Sequence, residues 1–99
     1  MTNRATPQLQ LLAKDKYRCA DLPTLHHWLE AHGYRYYGHH AANEYGRFAC
    51  QEAHEADGSP SYVHSYIQVL ATGELYAPDP HARDLLAPLV IDAHRERMV

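Results

Sequence analysis

The chain has little of several features that define large protein classes. Its 99 residues include only Cys19 and Cys50 as cysteines, too few for the disulfide framework of a small secreted domain. No apolar run approaches the roughly 20 residues that cross a bilayer, and residues 1–7 hold no apolar segment of a secretory signal. We therefore expect a cytoplasmic protein that does not enter a membrane. Its length predicts one small globular domain over residues 1–99, with residues 1–6 flexible.

Basic charge is also scarce. Lys14 and Lys16 are the only lysines, and the formal net charge is −3 at neutral pH with histidine uncharged. Affinity for duplex nucleic acid depends mostly on neutralising phosphates, so this balance makes a duplex binder an unfavoured interpretation.

Motifs that carry chemistry are missing as well. The sequence contains no paired C-x-x-C, no H-E-x-x-H and no G-x-S-x-G, and its five glycines are scattered rather than gathered in a phosphate loop. No signature surrounds either cysteine that would indicate a nucleophilic thiolate. We expect neither enzymatic activity nor a bound cofactor.

Histidine and tyrosine, by contrast, are abundant. The chain has nine histidines and eight tyrosines, concentrated between Tyr34 and Tyr76. Such side chains bind metals, stack on bases or anchor protein interfaces, and their spacing alone does not choose among these uses.

Three segments carry helix signals. Each has a capping residue with a proline in the first turn that follows, a combination typical of helix starts; the three starts are Thr6-Pro7, Asp21-Leu22-Pro23 and Asp79-Pro80. Apolar residues then recur at helical spacing, as Leu9, Leu12 and Tyr17; as Leu22, Leu25, Trp28, Leu29 and His32; and as Leu85, Leu86, Leu89, Val90 and Ala93. Gly33 is expected to end the second helix, Trp28 to anchor the core, and Pro88 to kink or split the last helix.

Strand signals fill the region between the second and third helices. The predicted strands cover Tyr34–Tyr37, Tyr45–His54, Ser61–Leu70 and a short Leu75-Tyr76, with breaks at 41–44, 57–60 and Thr72-Gly73. The order α-α-β-β-β-(β)-α predicts an α+β fold. Its three- to four-stranded antiparallel sheet would have helices packed on one face.

One strand decides whether a metal site is feasible. Residues 47–56 contain many helix-favouring side chains, but Gly46 and Asp57-Gly58 bracket a run short enough for a strand. On a strand, Cys50 and His54 lie about 13 Å apart and cannot share an ion, whereas on a helix they would share one face. We predict a strand and no bound metal. A metal site built from Cys50 and nearby histidines is the alternative.

The sheet face turned away from the helices is the candidate binding surface. In the strand Ser61–Leu70, Val63, Ile67 and Val69 point to one side and the aromatic residues to the other. The residues predicted to form this surface are Tyr37, His39, Tyr62, His64 and Tyr66.

Two uses of such a surface are open, beside the structural one in which aromatic pairs only stabilise the sheet. Tyrosines anchor protein interfaces, which predicts a non-enzymatic module that binds another protein, as an inhibitor, adaptor or immunity-type protein, or binds itself as a homodimer. They also stack single-stranded bases. The negative net charge favours protein.

Overall fold

The computed structural model describes residues 6–50 and 65–91, together with the backbone at 53–54 and 60–61. In chain order the elements are β1 (Leu9–Ala13), β2 (Lys16–Cys19), α1 (Leu22–Ala31), β3 (Arg35–Tyr36), β4 (Glu44–Cys50), β5 (Ala53–His54), β6 (Pro60–Ser61), β7 (Ser65–Leu70), β8 (Glu74–Tyr76), α2 (Pro80–Leu86) and a 3₁₀ turn (Ala87–Leu89).

Six strands form one open antiparallel sheet in the order β1-β2-β8-β7-β4-β3, and β5 pairs with β6 separately. The predicted α+β class with an antiparallel sheet is confirmed. The predicted count of three to four strands is too low, because the first segment, predicted as a helix, forms β1 and β2.

The segment after Thr6-Pro7 is the clearest error of the sequence interpretation. It forms the hairpin β1-β2, in which Leu9 pairs with Cys19 and Leu11 with Tyr17. Leu9 is fully buried while Leu11 and the neighbouring Leu12 are exposed, which is not the pattern of a helical stripe. The backbone N–H and C=O groups of this segment form hydrogen bonds within the hairpin. This pairing outweighs the local helix-start signal at Thr6-Pro7.

Helix α1 forms as predicted. The Asp21 side chain accepts hydrogen bonds from the backbone N–H of Thr24 at 3.2 Å and from its hydroxyl at 2.7 Å. These bonds lower the pKa of Asp21, the hydroxyl contributing most. Gly33 then reverses the chain with φ +94°. Trp28 is only partly buried and packs against the core rather than inside it.

Helix α2 also begins at its predicted cap. The Asp79 carboxylate accepts from the N–H of Ala82 at 2.8 Å, and the helix gives way to the 3₁₀ turn that contains Pro88, as predicted. The sequence predicts Val90 in the helical stripe, but its backbone has a β conformation and forms an isolated β-bridge with Leu9. Ala93 and residues 1–5 of the expected flexible segment lie outside the described residues.

The strand assignment after Gly46 is confirmed for residues 47–50. Phe48 pairs with Ile67 and Cys50 with Ser65, so this run is a sheet strand between β7 and the edge strand β3. The rest of the ambiguous run and the expected turn at 57–60 lie partly or wholly outside the described residues.

One core lies on one side of the sheet. The buried residues of both helices belong to the same cluster as the inward-facing strand residues, so α1 and α2 cover the same face, as predicted. The fully buried aliphatic and aromatic side chains of this cluster include Leu9, Leu25, Leu29, Phe48, Ile67, Val69, Leu75 and Leu86. We call this the inner face, and the opposite one the outer face.

Candidate binding surface

The outer face is assembled by the register of the central strands. Directly paired residues of antiparallel strands lie on the same side of a sheet, so the pairs away from Phe48 and Ile67 trace the outer face. One row across the sheet is Arg47, Gln68, Tyr76 and Lys16. On either side of it lie Arg35, Ala49 and Tyr66, and Glu74, Arg18 and Gln10.

An open cavity of about 270 Å³ lies at the β3 end of this face. Ala49, with its small side chain, leaves room between larger neighbours on β4, β7 and the loop before β4. The cavity is lined by Tyr37, His40, Arg47, Ala49 and Tyr66. We call it the Tyr37–Tyr66 cavity.

A buried carboxylate supports one wall of the cavity. The Glu44 side chain has no exposed surface and accepts from the backbone N–H of His40 at 2.7 Å and of Ala41 at 3.1 Å. It also accepts from Arg47 Nε at 2.9 Å and from the Gln68 side-chain amide. Arg47 contributes most to lowering the pKa of Glu44 to about 2, followed by the His40 N–H. Glu44 therefore stays ionised and fixes the loop, β4 and β7 relative to each other.

Arg47 is the cation that this arrangement holds in place. Its Nε and Nη2 both lie 2.9 Å from Glu44 Oε2, which leaves the Nη1 end outside the ion pair. The hydrogen bond to Glu44 is the main cause that raises the pKa of Arg47, and Tyr66 contributes in the same direction. The Arg47 side chain keeps 32% of its surface exposed, so an oriented guanidinium faces solvent within the cavity.

Tyr37 reaches the cavity through an irregular pairing beyond β3. Its N–H donates to Arg47 O at 2.8 Å, while the Arg47 N–H donates to Gly38 O at 3.0 Å. Two residues thus oppose one, and Gly38 has φ +79°, the left-handed conformation that such a bulge requires. Tyr37 is 48% exposed, one of the large apolar side chains most open to solvent.

The opposite end of the outer face differs from the cavity. Glu74 lies 3.5 Å from Lys16 Nζ and 3.3 Å from Arg18 Nη2, so both cations have a carboxylate partner. Lys16 Nζ also lies 5.5 Å from the centre of the Tyr76 ring, which covers part of that ring. This end carries a network of exposed ion pairs, and a separate cavity of about 320 Å³, lined in part by Gln10 and Arg18, lies beside it.

The predicted site residues divide into three groups. Tyr37 and Tyr66 meet in the cavity. His39 is exposed in the loop beyond β3 and does not line the cavity, whereas its neighbour His40 does. Tyr62 and His64 lie outside the described residues.

Sequence reasoning missed Glu44 and Arg47. Arg47 alternates with the inward Gly46 and Phe48, so the period of the strand was sufficient to place it on the outer face. Glu44 had no such signal, because the register shift between Glu44 and Gly46 interrupts the alternation.

A second aromatic cluster belongs to the inner face. His26 on α1 hydrogen-bonds to Tyr45 through Nδ1 at 2.7 Å, and its ring lies 4.6 Å from that of Tyr36 and 5.1 Å from that of Phe48. Burial raises the pKa of Tyr45. These rings attach α1 to the edge of the sheet, so their role is structural.

Buried polar groups also fasten α2 to the sheet. The Tyr34 hydroxyl hydrogen-bonds to Ser65, whose hydroxyl donates to Asp79 at 2.9 Å, and the Tyr66 N–H donates to the same carboxylate at 2.8 Å. Burial raises the pKa of Tyr34 to about 12. Burial also opposes ionisation of Asp79, but the bonds from Ala82, Tyr66 and Ser65 outweigh it and lower the Asp79 pKa.

The metal alternative finds no support in the part of the chain that the structure describes. No three histidine, cysteine or acidic side chains converge there on a point that would hold an ion. Cys50 lies on a strand and is buried, while the side chain of His54 lies outside the described residues. Cys19 is also buried, which raises its thiol pKa and disfavours a thiolate.

No family model matches the chain, and neither a curated protein nor a solved structure is significantly similar to it. Within residues 6–50 and 65–91, neither helix is long and apolar enough to cross a membrane.

Proposed function

We propose that this protein is a small, non-enzymatic binding module that contacts another protein through the outer face of its sheet. The observation that carries the proposal is the convergence of Tyr37, Tyr66 and Arg47 around one cavity. Tyrosine and arginine are the residue types most enriched, with tryptophan, among the side chains that dominate interface energetics.

The anchoring of these side chains also favours binding. Arg47 is held by Glu44, and Tyr66 lies on a central strand, so little side-chain freedom remains to be lost when a partner docks. Ordering a mobile side chain at an interface costs about 0.5–1.5 kcal/mol, and a preorganised surface avoids much of that cost.

Single-stranded nucleic acid is the other occupant of an aromatic sheet face. It is disfavoured because Lys16 and Arg18 already pair with Glu74 on this face, and that carboxylate would compete with phosphates. Lys16 also lies over the Tyr76 ring, where a base would have to stack. Tyr37 is left as the most open ring of the outer face among the described residues.

The test begins with capture of partners from the native host on immobilised protein and identification by mass spectrometry. The purified partner is then titrated against wild type, Tyr37→Ala and Tyr66→Ala. Each variant is expected to weaken binding by about tenfold or more, the loss expected of an interface anchor. Tyr76→Ala is the matched control, since it removes the same residue type from the same face outside the cavity, and it should change affinity by less than about threefold.

Partner binding that survives both cavity variants would overturn the proposal. Sedimentation equilibrium on the isolated protein tests whether it forms a homodimer. If the chain self-associates and the same two variants abolish the association, the partner is a second copy of this chain.

A further inference from the structure

We propose that the Tyr37–Tyr66 cavity takes a carboxylate side chain of the partner protein, with Arg47 as its main hydrogen-bond donor and Tyr66 beside it. This inference rests on the proposed function and adds the chemistry that the cavity selects.

The donor geometry is the first argument. A guanidinium has five N–H groups, and Glu44 engages only Nε and Nη2 of Arg47. Tyr66 is a further hydrogen-bond partner of the guanidinium. The donors that remain lie on the exposed part of the Arg47 side chain, where they can meet a second acceptor. Arginine pairs with carboxylates through parallel N–H groups in a plane, so an arginine already fixed on one edge presents the other edge in a defined direction.

Glu44 does not cancel this attraction. Its negative charge is shared among the backbone N–H groups of His40 and Ala41, the Gln68 amide and Arg47. Each of these donors stabilises part of the charge, so Arg47 is not its sole counterion. A second carboxylate therefore meets a guanidinium whose charge is only partly compensated.

The size of the cavity is the second argument. Sites for drug-sized ligands and cofactors occupy roughly 300–1,000 Å³, and this cavity, at about 270 Å³ and open on one side, lies below that range. It suits a single side chain flanked by the rings of Tyr37 and Tyr66 better than a complete cofactor.

The charge around the cavity is the third argument. The whole chain has a formal net charge of −3. The described strand residues of the outer face nevertheless carry the cations Lys16, Arg18, Arg35 and Arg47 against the carboxylates Glu44 and Glu74. This face is thus locally positive on an acidic protein, which complements an acidic patch of a partner.

The experiment titrates ¹⁵N-labelled full-length protein with a blocked five-residue peptide that contains two glutamates. The matched probe is the same peptide with both glutamates replaced by glutamine. Amide shifts are expected at Tyr37, His40, Arg47 and Tyr66 with the acidic peptide, and not with the neutral one. The affinity should fall as ionic strength rises from low to physiological values, because an exposed charge contact is screened.

Variants then assign the contact. Arg47→Gln should weaken binding of the acidic peptide by about tenfold, and Tyr66→Phe, which keeps the ring and removes the hydroxyl, by a few-fold. Arg18→Gln is the control. It removes a cation of the same face that pairs with Glu74 and does not line the Tyr37–Tyr66 cavity, and it should change affinity less than twofold. If Arg47→Gln alone does not fold, the double variant Glu44→Gln/Arg47→Gln removes both charges together and should show the same loss.

Three outcomes would overturn the inference. Equal shifts with both peptides would show that the cavity does not select carboxylates. A poly-deoxythymidine oligonucleotide that shifts the same amides at lower concentration than the acidic peptide would make nucleic acid the occupant. Absence of shifts at millimolar acidic peptide, with partner binding still dependent on Tyr37 and Tyr66, would overturn the carboxylate inference and leave the proposed function standing.

Discussion

The two faces of the sheet hold their side chains in place by different interactions. On the inner face, Phe48, Ile67, Val69 and Leu75 have no exposed surface, and the two helices cover them. Burial of this apolar area stabilises the fold, at about 25 cal/mol per Å². On the outer face, the same strands alternate to polar and aromatic residues that, apart from Glu44, remain half-buried or exposed.

The outer face holds its side chains with ion pairs and hydrogen bonds instead of close packing. Glu44 alone connects Arg47, Gln68 and the loop at His40. Such contacts contribute little net stability where water competes, but they fix direction. The comparison therefore assigns stability to the inner face, while the outer face carries the proposed binding surface.

The largest expected effect tests that assignment on two neighbours of β7. Ile67→Ala removes fully buried methyl groups and leaves a cavity in the core, so it should lower the free energy of unfolding by about 2–5 kcal/mol. Tyr66→Ala, one residue away on the outer face, should cost less than half as much. Urea unfolding of both variants measures the difference. Equal losses would show that the outer face contributes to the core.

The second effect concerns how the helices are attached to the inner face. Asp79→Ala removes the cap of α2 and leaves the Tyr66 N–H without its acceptor, so the expected loss is about 2–3 kcal/mol. Asp21→Ala is the matched control, because the hydrogen bonds that the structure gives the Asp21 side chain go to Thr24, whereas Asp79 also reaches β7. Thermal unfolding should show a distinctly smaller loss for Asp21→Ala. The reverse order would mean that the bond to β7 contributes nothing.

The two faces also differ in how far the sequence predicted them. Alternation along β7 placed Ile67 and Val69 inward and Tyr66 outward correctly, because the side-chain period of a strand is local. Capping by Asp21 and Asp79 was predictable for the same reason. Thr6-Pro7 has an equally good local signal and failed, since the hairpin partner that decides its structure lies beyond the local window.

The binding surface was less predictable than the core. Composition and period predict Tyr37 and Tyr66, but Arg47 is not among the predicted site residues. The bulge at Gly38 and the register shift after Glu44 bring loop and strand together, and neither has a sequence pattern that specifies it. His40 replaces His39 at the cavity because this loop geometry, not strand alternation, decides which of the two lines it.

A third prediction concerns how the stability of the protein falls in acid, to which Glu44 of the outer face contributes. The folded pKa of Glu44 is about 2, below its ordinary value of 4.5. A lowered folded pKa contributes stability that is complete above the unfolded value and is lost as pH falls through the folded one. The melting temperature should therefore decline between about pH 4.5 and pH 2. Asp79 and Asp21, whose pKa values are also lowered, add to this decline.

Glu44→Gln isolates the outer-face part of that decline. The amide keeps its oxygen as an acceptor for His40 and Ala41 but has no proton equilibrium in this range, so its melting temperature should fall less steeply with acid than that of wild type. Parallel curves for the two proteins would show that Glu44 is not the group responsible.

The smallest effect compares the two ends of the outer face. Arg18 pairs with Glu74 at 3.3 Å, but its side chain is 49% exposed, so water and salt screen the contact. Arg18→Gln should change the free energy of unfolding by less than about 0.5 kcal/mol. Arg47→Gln should cost more, because it removes a donor from a carboxylate that has no exposed surface. Chemical denaturation at low and high salt measures both. Equal losses in the free energy of unfolding for Arg18→Gln and Arg47→Gln would show that the two ion pairs contribute equally. Arg47 would then be held no more firmly in the cavity than Arg18 is at the other end of the face.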